Sequence, residues 1–366
     1  MLNIILLVAV VLILAILITI FRVSTLVNVI KSDDKGEEVA KPGNENKVQA
    51  ILMVLFLVFG VIGAFYFSFG GLDDNFNQPI ASEHGVVTEN LFWITMAITG
   101  FVFILTQIFL FGFAYKYQYK EGRQASFYPH NNTLEIVWTA VPAVVLAVLI
   151  ITGWKAWTDI TGKAPENSEV IEVMGYQYSW AVRYPGKDKV LGDYDFRKID
   201  VSNVSGVDFS DQNSFDDFYG RELHVPKGKP VLLKIRARDV IHSVYSPHFR
   251  LQMNAVPGMP TRFWFVPTKS TEEMREETGN PEFNYELVCN KICGKGHFGM
   301  KYQIVVDEPA DYEKWKREQE PWLKQNPDYL AQVPVELREQ ALITLGIDNK
   351  EEEQPVDQAL VGTVTR

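Results

Sequence analysis

Cysteine is nearly absent from this chain, with two residues in 366. That scarcity excludes a small exported scaffold stapled by disulfides. Basic charge is also short, 35 Lys and Arg against 45 Asp and Glu, which excludes a nucleic-acid binder working through a basic surface. Charge of either sign is missing from long stretches of the first half. Residues 1–153 hold 19 charged side chains, nearly all in three short segments between apolar runs. Residues 154–306 hold 40, 20 of each sign, and residues 307–366 hold 14 acids against 7 bases, most of the net charge of −10. A purely soluble protein is not built this way. The length allows two or three domains, and the charge-poor half makes this a membrane-anchored chain.

Four apolar stretches are long enough to cross hydrocarbon, which takes about 20 residues in a helix. They are Leu2–Phe21, Val48–Phe69, Leu91–Ala114 and Leu134–Gly153. The only charge in them is Glu135, at the start of the last. The first loop, Arg22 to Lys47, carries five basic residues. The second, Gly70 to Asn90, has only Asp73, Asp74, Glu83 and Glu89, and the third has Lys116, Lys120 and Arg123. Basic loops stay in the cytoplasm, so loops one and three are inside and everything after Trp154 is exported. Trp154 and Trp157 are suited to the membrane interface. The first stretch reads as a true span, because it is too long for a signal-peptide core and no A-x-A cleavage pattern follows. No cysteine near the N-terminus is available for a lipoprotein anchor.

Beyond Trp157 the pattern changes to short runs rich in Val, Ile, Tyr and Phe. Val170–Val173, Tyr176–Tyr184, Val231–Ala237, Thr261–Val266, Tyr285–Val288 and Tyr302–Val306 are examples. Turn signals such as Pro185-Gly186 and Pro257-Gly258 separate them, which predicts a β-sandwich or barrel. The aspartate-rich stretch Pro185–Tyr219 reads as a long insertion between strands. Past Asp307 the pattern turns helical, broken by prolines at 309, 321, 327 and 334 and closed by Gly346.

Both cysteines fall in one window, Cys289-Asn290-Lys291-Ile292-Cys293-Gly294-Lys295-Gly296-His297, with Met300 just beyond. His242 offers a second imidazole, at the end of another strand. Thiolate and thioether ligands favour copper. One Cys, two His and a weak Met make a mononuclear electron-transfer site, and the extra cysteine is what bridging a second metal requires. Two other readings stay open at this point. The cysteines could form a disulfide, or zinc could take Cys289, Cys293, His297 and His242, which leaves Met300 without a role. The remaining histidines, 84, 130, 224 and 248, lack partners at ligand spacing and read as surface or structural.

The window resembles the dinuclear copper loop of subunit II of haem–copper cytochrome oxidases. Asp239-Val240-Ile241-His242-Ser243, Ala255-Val256-Pro257-Gly258, Leu223–Gly228, Leu134–Pro142 and Gly175-Tyr176-Gln177-Tyr178-Ser179-Trp180 are similar to further segments of that family, so the likeness runs from about residue 90 to 307. It implies transmembrane helices followed by an exported cupredoxin-like β-barrel or sandwich, a membrane-anchored α + β fold. The organisation expected is an extra N-terminal transmembrane hairpin (1–69), the family's hairpin (90–153), the copper domain (154–306) and an acidic, partly helical tail (307–366). The implied copper ligands are His242, Cys289, Cys293, His297, Met300 and the carbonyl of Lys291. Tyr178 and Trp180 are the implied points of electron uptake, and Glu135 the implied entrance of a proton pathway. The implied partners are subunit I with its haems, subunit III, membrane lipid and, as donor, cytochrome c or a membrane-bound c-type haem domain, in a bacterial inner membrane. Nucleic acid is no partner.

The chain departs from that family in four places. Lys291 stands where the family has a Glu that helps hold magnesium against subunit I. Tyr178 stands where the family has Trp. Two additional spans precede the hairpin. No C-x-x-C-H motif occurs, so no c-type haem domain is fused to this sequence.

Overall fold

The computed structural model describes residues 2–33, 45–71, 78–120 and 122–347. Much of the first basic loop, Asp73 and Asp74, and the last part of the acidic tail lie outside those residues. The chain divides into two units, residues 1–73 with 98–132, and residues 74–97 with 133–366.

In the first unit, α1 (Leu2–Asp33) and α2 (Glu45–Tyr66) are accompanied by the second half of α3 (Glu83–Lys116). A π-helical turn, Phe67–Gly71, follows α2. Most of the apolar side chains of residues 10–27, 46–66 and 98–116 stand exposed, the pattern of helices made for lipid. With α4 (Asn132–Thr161), four helices among the described residues are long and apolar enough to span a membrane. The 30 residues of α4 reach about 45 Å at ~1.5 Å per residue, well beyond a hydrocarbon core of roughly 30 Å. α1, α3 and α4 outrun their predicted apolar stretches, whereas α2 has 22 residues and ends at Tyr66, before the predicted Phe69.

In the second unit the surplus length of α4 meets a β-domain. Trp264 donates Nε1–H to the Asp159 carbonyl at 2.7 Å, and Arg262 donates Nε–H to the Thr161 carbonyl at 2.9 Å. The α3 segment of this unit is gripped too. Arg250 pairs with Glu89 at 2.8 Å and donates to the Gln78 carbonyl at 3.0 Å.

The domain has ten strands: β1 (Glu169–Tyr176), β2 (Ser179–Tyr184), β3 (Phe218–Gly220), β4 (Leu223–Pro226), β5 (Val231–Ala237), β6 (His242–Ser246), β7 (Leu251–Ala255), β8 (Thr261–Phe265), β9 (Tyr285–Cys289) and β10 (Lys301–Asp307). They form two five-stranded sheets, β3-β2-β1-β5-β8 and β4-β10-β9-β6-β7. Val173, Val182 and Ile235 of one sheet share a core with Val244, Leu287 and Ile304 of the other. Buried and exposed positions alternate in β7 and β9, as one-sided burial demands. Two expectations need correction. The run Tyr176–Tyr184 is not one strand, because Tyr176 pairs with Ser179 and Gln177-Tyr178 form a two-residue turn. His242 does not end a strand, because β5 closes at Ala237 and His242 opens β6.

The insertion and the tail, separate in the sequence reading, build one small core together. Val207, Phe209 and Phe215 pack with Leu323, Val333 and Leu345, and Phe209 stacks on Trp322 at 5.6 Å. The tail prolines sit at the starts of α5 (Pro309–Arg317), α6 (Trp322–Gln325) and the 3₁₀ turns, where a missing N–H costs nothing. Gly346 caps α7 (Arg338–Leu345) at a φ of 65°, which favours glycine. His224 stacks on Trp315 at 4.0 Å, bonded to Asp307 at 2.7 Å. His248 is packed between Phe283 and Tyr285.

A buried ionic network ties the insertion to the sheet. Glu172 on β1 binds Arg183 at 2.7 Å and Arg236 at 2.6 Å, and Arg183 continues to Asp217 at 2.6 Å. Burial alone would raise the Glu172 carboxyl, but the two guanidinium groups outweigh it and hold the pKa at about 2 against the ordinary 4.5. The contribution of this depressed carboxylate is full above pH 4.5 and is lost as pH falls through about 2. Glu172→Gln leaves two buried cations short of a partner and should cost about 3–5 kcal/mol. Denaturant titrations from neutral pH down to about 2 check this: the wild-type advantage over the variant should shrink across that window.

Candidate metal centre

Antiparallel pairing of β6 with β9 sets Val244 opposite Cys289, and the Asn290 amide donates to the Ser243 carbonyl at 3.1 Å. That register carries His242 to the cysteine loop from 47 residues away, with its Nδ1 3.9 Å from Cys289 Sγ. The loop between β9 and β10 supplies the other donors. Cys289 Sγ and Cys293 Sγ lie 3.9 Å apart, His297 Nδ1 is 3.7 Å from Cys293 Sγ, and Met300 Sδ is 3.9 Å from it. The Cys289 thiol donates to the Lys291 carbonyl at 3.2 Å. Each group implied by the loop resemblance thus stands in one cluster, with His242, Cys289 and Cys293 meeting the geometry of a metal-holding group.

The donor chemistry fits a soft metal. Both cysteines are free and buried, and a separation of 3.9 Å is far beyond a disulfide bond of about 2.05 Å. Two thiolates at that spacing can share one ion bonded at roughly 2.3 Å to each. Burial first, and then the neighbouring Cys289, push the Cys293 thiol up to about 11, so metal uptake has to displace its proton. Magnesium, by contrast, takes oxygen ligands. The Lys291 side chain is a pure donor, so it has no oxygen to offer that ion.

The surroundings fix the cluster. Asp239 Oδ1 lies 2.9 Å from His242 Nε2. A carboxylate only accepts, so Nε2 donates to it and Nδ1 is turned to the sulfur. Burial opposes ionisation of Asp239, but the Gln177 and Val240 amides and the His242 ring hold its carboxyl below the ordinary value. Gln177 Nε2 donates to the Cys293 carbonyl at 2.6 Å, and the Lys295 amide donates to Tyr178 Oη at 3.1 Å. A Cβ at Gly294 or Gly296 would collide with the Tyr178 ring, so the loop needs glycine there. The bracing roles of Asp239 and Gln177 were missed in the sequence. The available signal was an acid three residues before an imidazole.

The two aromatics differ. Tyr178 is 41% exposed against the loop, while Trp180 is 3% exposed. The Trp180 ring lies 6.0 Å from the His242 ring and its Nε1–H points to the Met300 carbonyl at 3.4 Å. Trp180 is therefore a wall of the site and not a surface contact. Glu135 is exposed in the first turn of α4. Removing the carboxylate that orients a metal-binding imidazole weakens metal affinity about 10–100-fold. Asp239→Ala should show that loss in a competition titration with a copper chelator.

Residues 72–155 match the family described as cytochrome c oxidase subunit II, transmembrane domain, and residues 169–308 match its periplasmic domain. The "Alternative cytochrome c oxidase subunit 2" of Bradyrhizobium diazoefficiens is 35% identical over 243 residues, covering 66% of this chain and 83% of that one. The "Cytochrome c oxidase subunit 2" of Thermostichus vulcanus is 28% identical, covering 65% and 76%. A crystal structure of the periplasmic domain of cytochrome oxidase subunit II from Bradyrhizobium japonicum is similar at 21% identity and a TM-score of 0.29, covering 42% of this chain and 95% of that one. With a matched anchor, a matched exported domain and a relative above 30% identity over most of its length, this chain belongs to the cytochrome c oxidase subunit II family.

Proposed function

We propose that this chain is the electron-accepting subunit of a membrane-bound terminal oxidase, taking electrons singly at a dinuclear copper centre and passing them to haem in subunit I. The observation that carries this reading is the cluster of two thiols, two imidazoles and a thioether, drawn together at 3.7–3.9 Å from the start of β6 and from the segment that runs from the end of β9 to β10. Cys289 and Cys293 would bridge, with His242, His297, Met300 and the Lys291 carbonyl as the remaining ligands. Bound there, copper supplies a one-electron relay between donor and haem. The protein's own part is to orient and to exclude water. Asp239 fixes the His242 tautomer, Gln177 and Tyr178 hold the loop, and Trp180 closes one side. Ligands held in place need little rearrangement when an electron arrives.

The subunit would carry no oxygen chemistry itself. It would sit in a bacterial inner membrane beside subunits I and III, with cytochrome c or a membrane-bound c-type haem domain as donor. Glu135, at the cytoplasmic end of α4, is our candidate for the proton-pathway entrance, since an ionisable group at the edge of hydrocarbon is expensive without a use. Magnesium has no side-chain ligand at Lys291, so we assign it no role. A copper-free quinol-oxidase subunit or a tethered copper carrier is not favoured, because all five side-chain donors are present and the named relatives are cytochrome c oxidase subunits.

The test is optical and EPR spectroscopy of the purified oxidase containing the full chain. One unpaired electron shared equally by two copper nuclei is expected. Cys289→Ser should abolish that sharing. A single-copper signal that Cys289→Ser leaves unchanged would reject the dinuclear site.

A further inference from the structure

The surface over the metal centre is small enough to define by contacts. Gln177 donates its amide to Asp239 Oδ2 at 2.8 Å and its side chain to the Cys293 carbonyl, and Tyr178 bonds to Lys295. Arg238 lies over the Tyr176 ring at 4.6 Å. Segments 176–178, 238–241 and 290–298 therefore meet around the loop that holds the cysteines. The charged residues in them, His297 aside, are Arg238, Asp239, Lys291 and Lys295. The one acid is already engaged, by His242, by the Gln177 and Val240 amides and, at 3.8 Å, by Arg238, which leaves Lys291 and Lys295 as the uncompensated charges. Lys291 and Lys295 make no ion pair among the described residues. Apolar groups stand exposed beside them, Ile292 at 85%, Phe298 at 90% and Tyr178 at 41%. A chain with a net charge of −10 thus shows a locally cationic, apolar face where its electrons enter.

We propose that Arg238 and Lys295 form a docking rim around Tyr178, and that the donor protein meeting it presents carboxylates around its own redox group. The proposal rests on the electron-accepting role above. Charge complementarity chooses the occupant. Contact-range charges decide which surfaces fit, whereas charges more than about 8 Å away are largely screened at physiological salt. The acid excess of this chain lies mostly in residues 307–366, with 14 acids and 7 bases, and not in the segments that form the rim. A basic donor would bring like charge against Lys295 and Arg238. Tyr178 supplies the apolar centre of the contact, packed on Gly294 and Gly296, one residue from Cys293.

The experiment uses the purified oxidase and two probes of similar haem chemistry, an acidic and a basic c-type cytochrome, each mixed in the ferrous form over a range of ionic strength. The acidic probe should reduce the copper centre faster at low salt and slow as salt rises, while the basic probe should not slow. Lys295→Glu should lower the acidic probe's rate roughly tenfold at low salt and leave the copper EPR signal intact. Lys295→Gln should flatten the salt slope without reversing it. A basic probe that reacts faster and slows with salt overturns the proposal, as does a salt slope indifferent to Lys295→Glu. Carbodiimide coupling of the acidic cytochrome to the same preparation separates the two readings, because it needs no copper. Coupling at Lys295 in a preparation without the shared-electron signal would reject the copper centre and keep the docking rim. No coupling at Lys295 in a preparation with that signal would reject the rim and keep the centre.

Discussion

The site depends on a very short ladder. β6 and β9 are paired through only Val244 with Cys289 and Tyr245 with Val288, yet that register decides whether the imidazole that opens β6 meets the sulfur that ends β9. A slip of one residue would turn Cys289 to the opposite face of its sheet. The core between the sheets holds the register, since Val244 and Leu287 are both buried in it. The rest of the centre follows from the β9–β10 loop, a local segment whose donors are close in sequence.

Much of this was legible in the chain itself. Spacing of apolar runs marked the four membrane helices, because lipid demands length and lack of charge and little else. The cysteine loop was legible because its donors are local. Strand β5 was placed at Val231–Ala237, as observed, since turn signals bound it on one side. The errors have physical reasons. Tyr176–Tyr184 is rich in aromatic residues and holds no Gly, Pro, Asn or Asp, so nothing in its composition marks the turn at Gln177-Tyr178, which exists because β2 folds back on β1. The partnership of insertion and tail, and the Glu172 network, depend on residues far apart in sequence. A single chain of letters does not pair Phe209 with Trp322.

The buried ions and the metal cluster solve the same problem differently. Glu172, Arg183, Arg236 and Asp217 pair with one another, one Asp217 oxygen excepted, and fasten an irregular insertion to a regular sheet. The cysteines, imidazoles and thioether are brought together without neutralising one another. Thiols buried beside each other gain little from the contact, and Cys293 is the less acidic for it. A folded chain that gathers such groups stores a preference for a metal.

The attachment of the β-domain to its helices also has a mechanical side. Arg250 holds Glu89 on α3, and Trp264 and Arg262 hold the last turn of α4. A body fixed at one point can pivot in any direction, whereas one fixed at two points can only rock about the line joining them. The loop carrying Cys293 therefore rides on a body that swings through fewer directions than it would on a single tether.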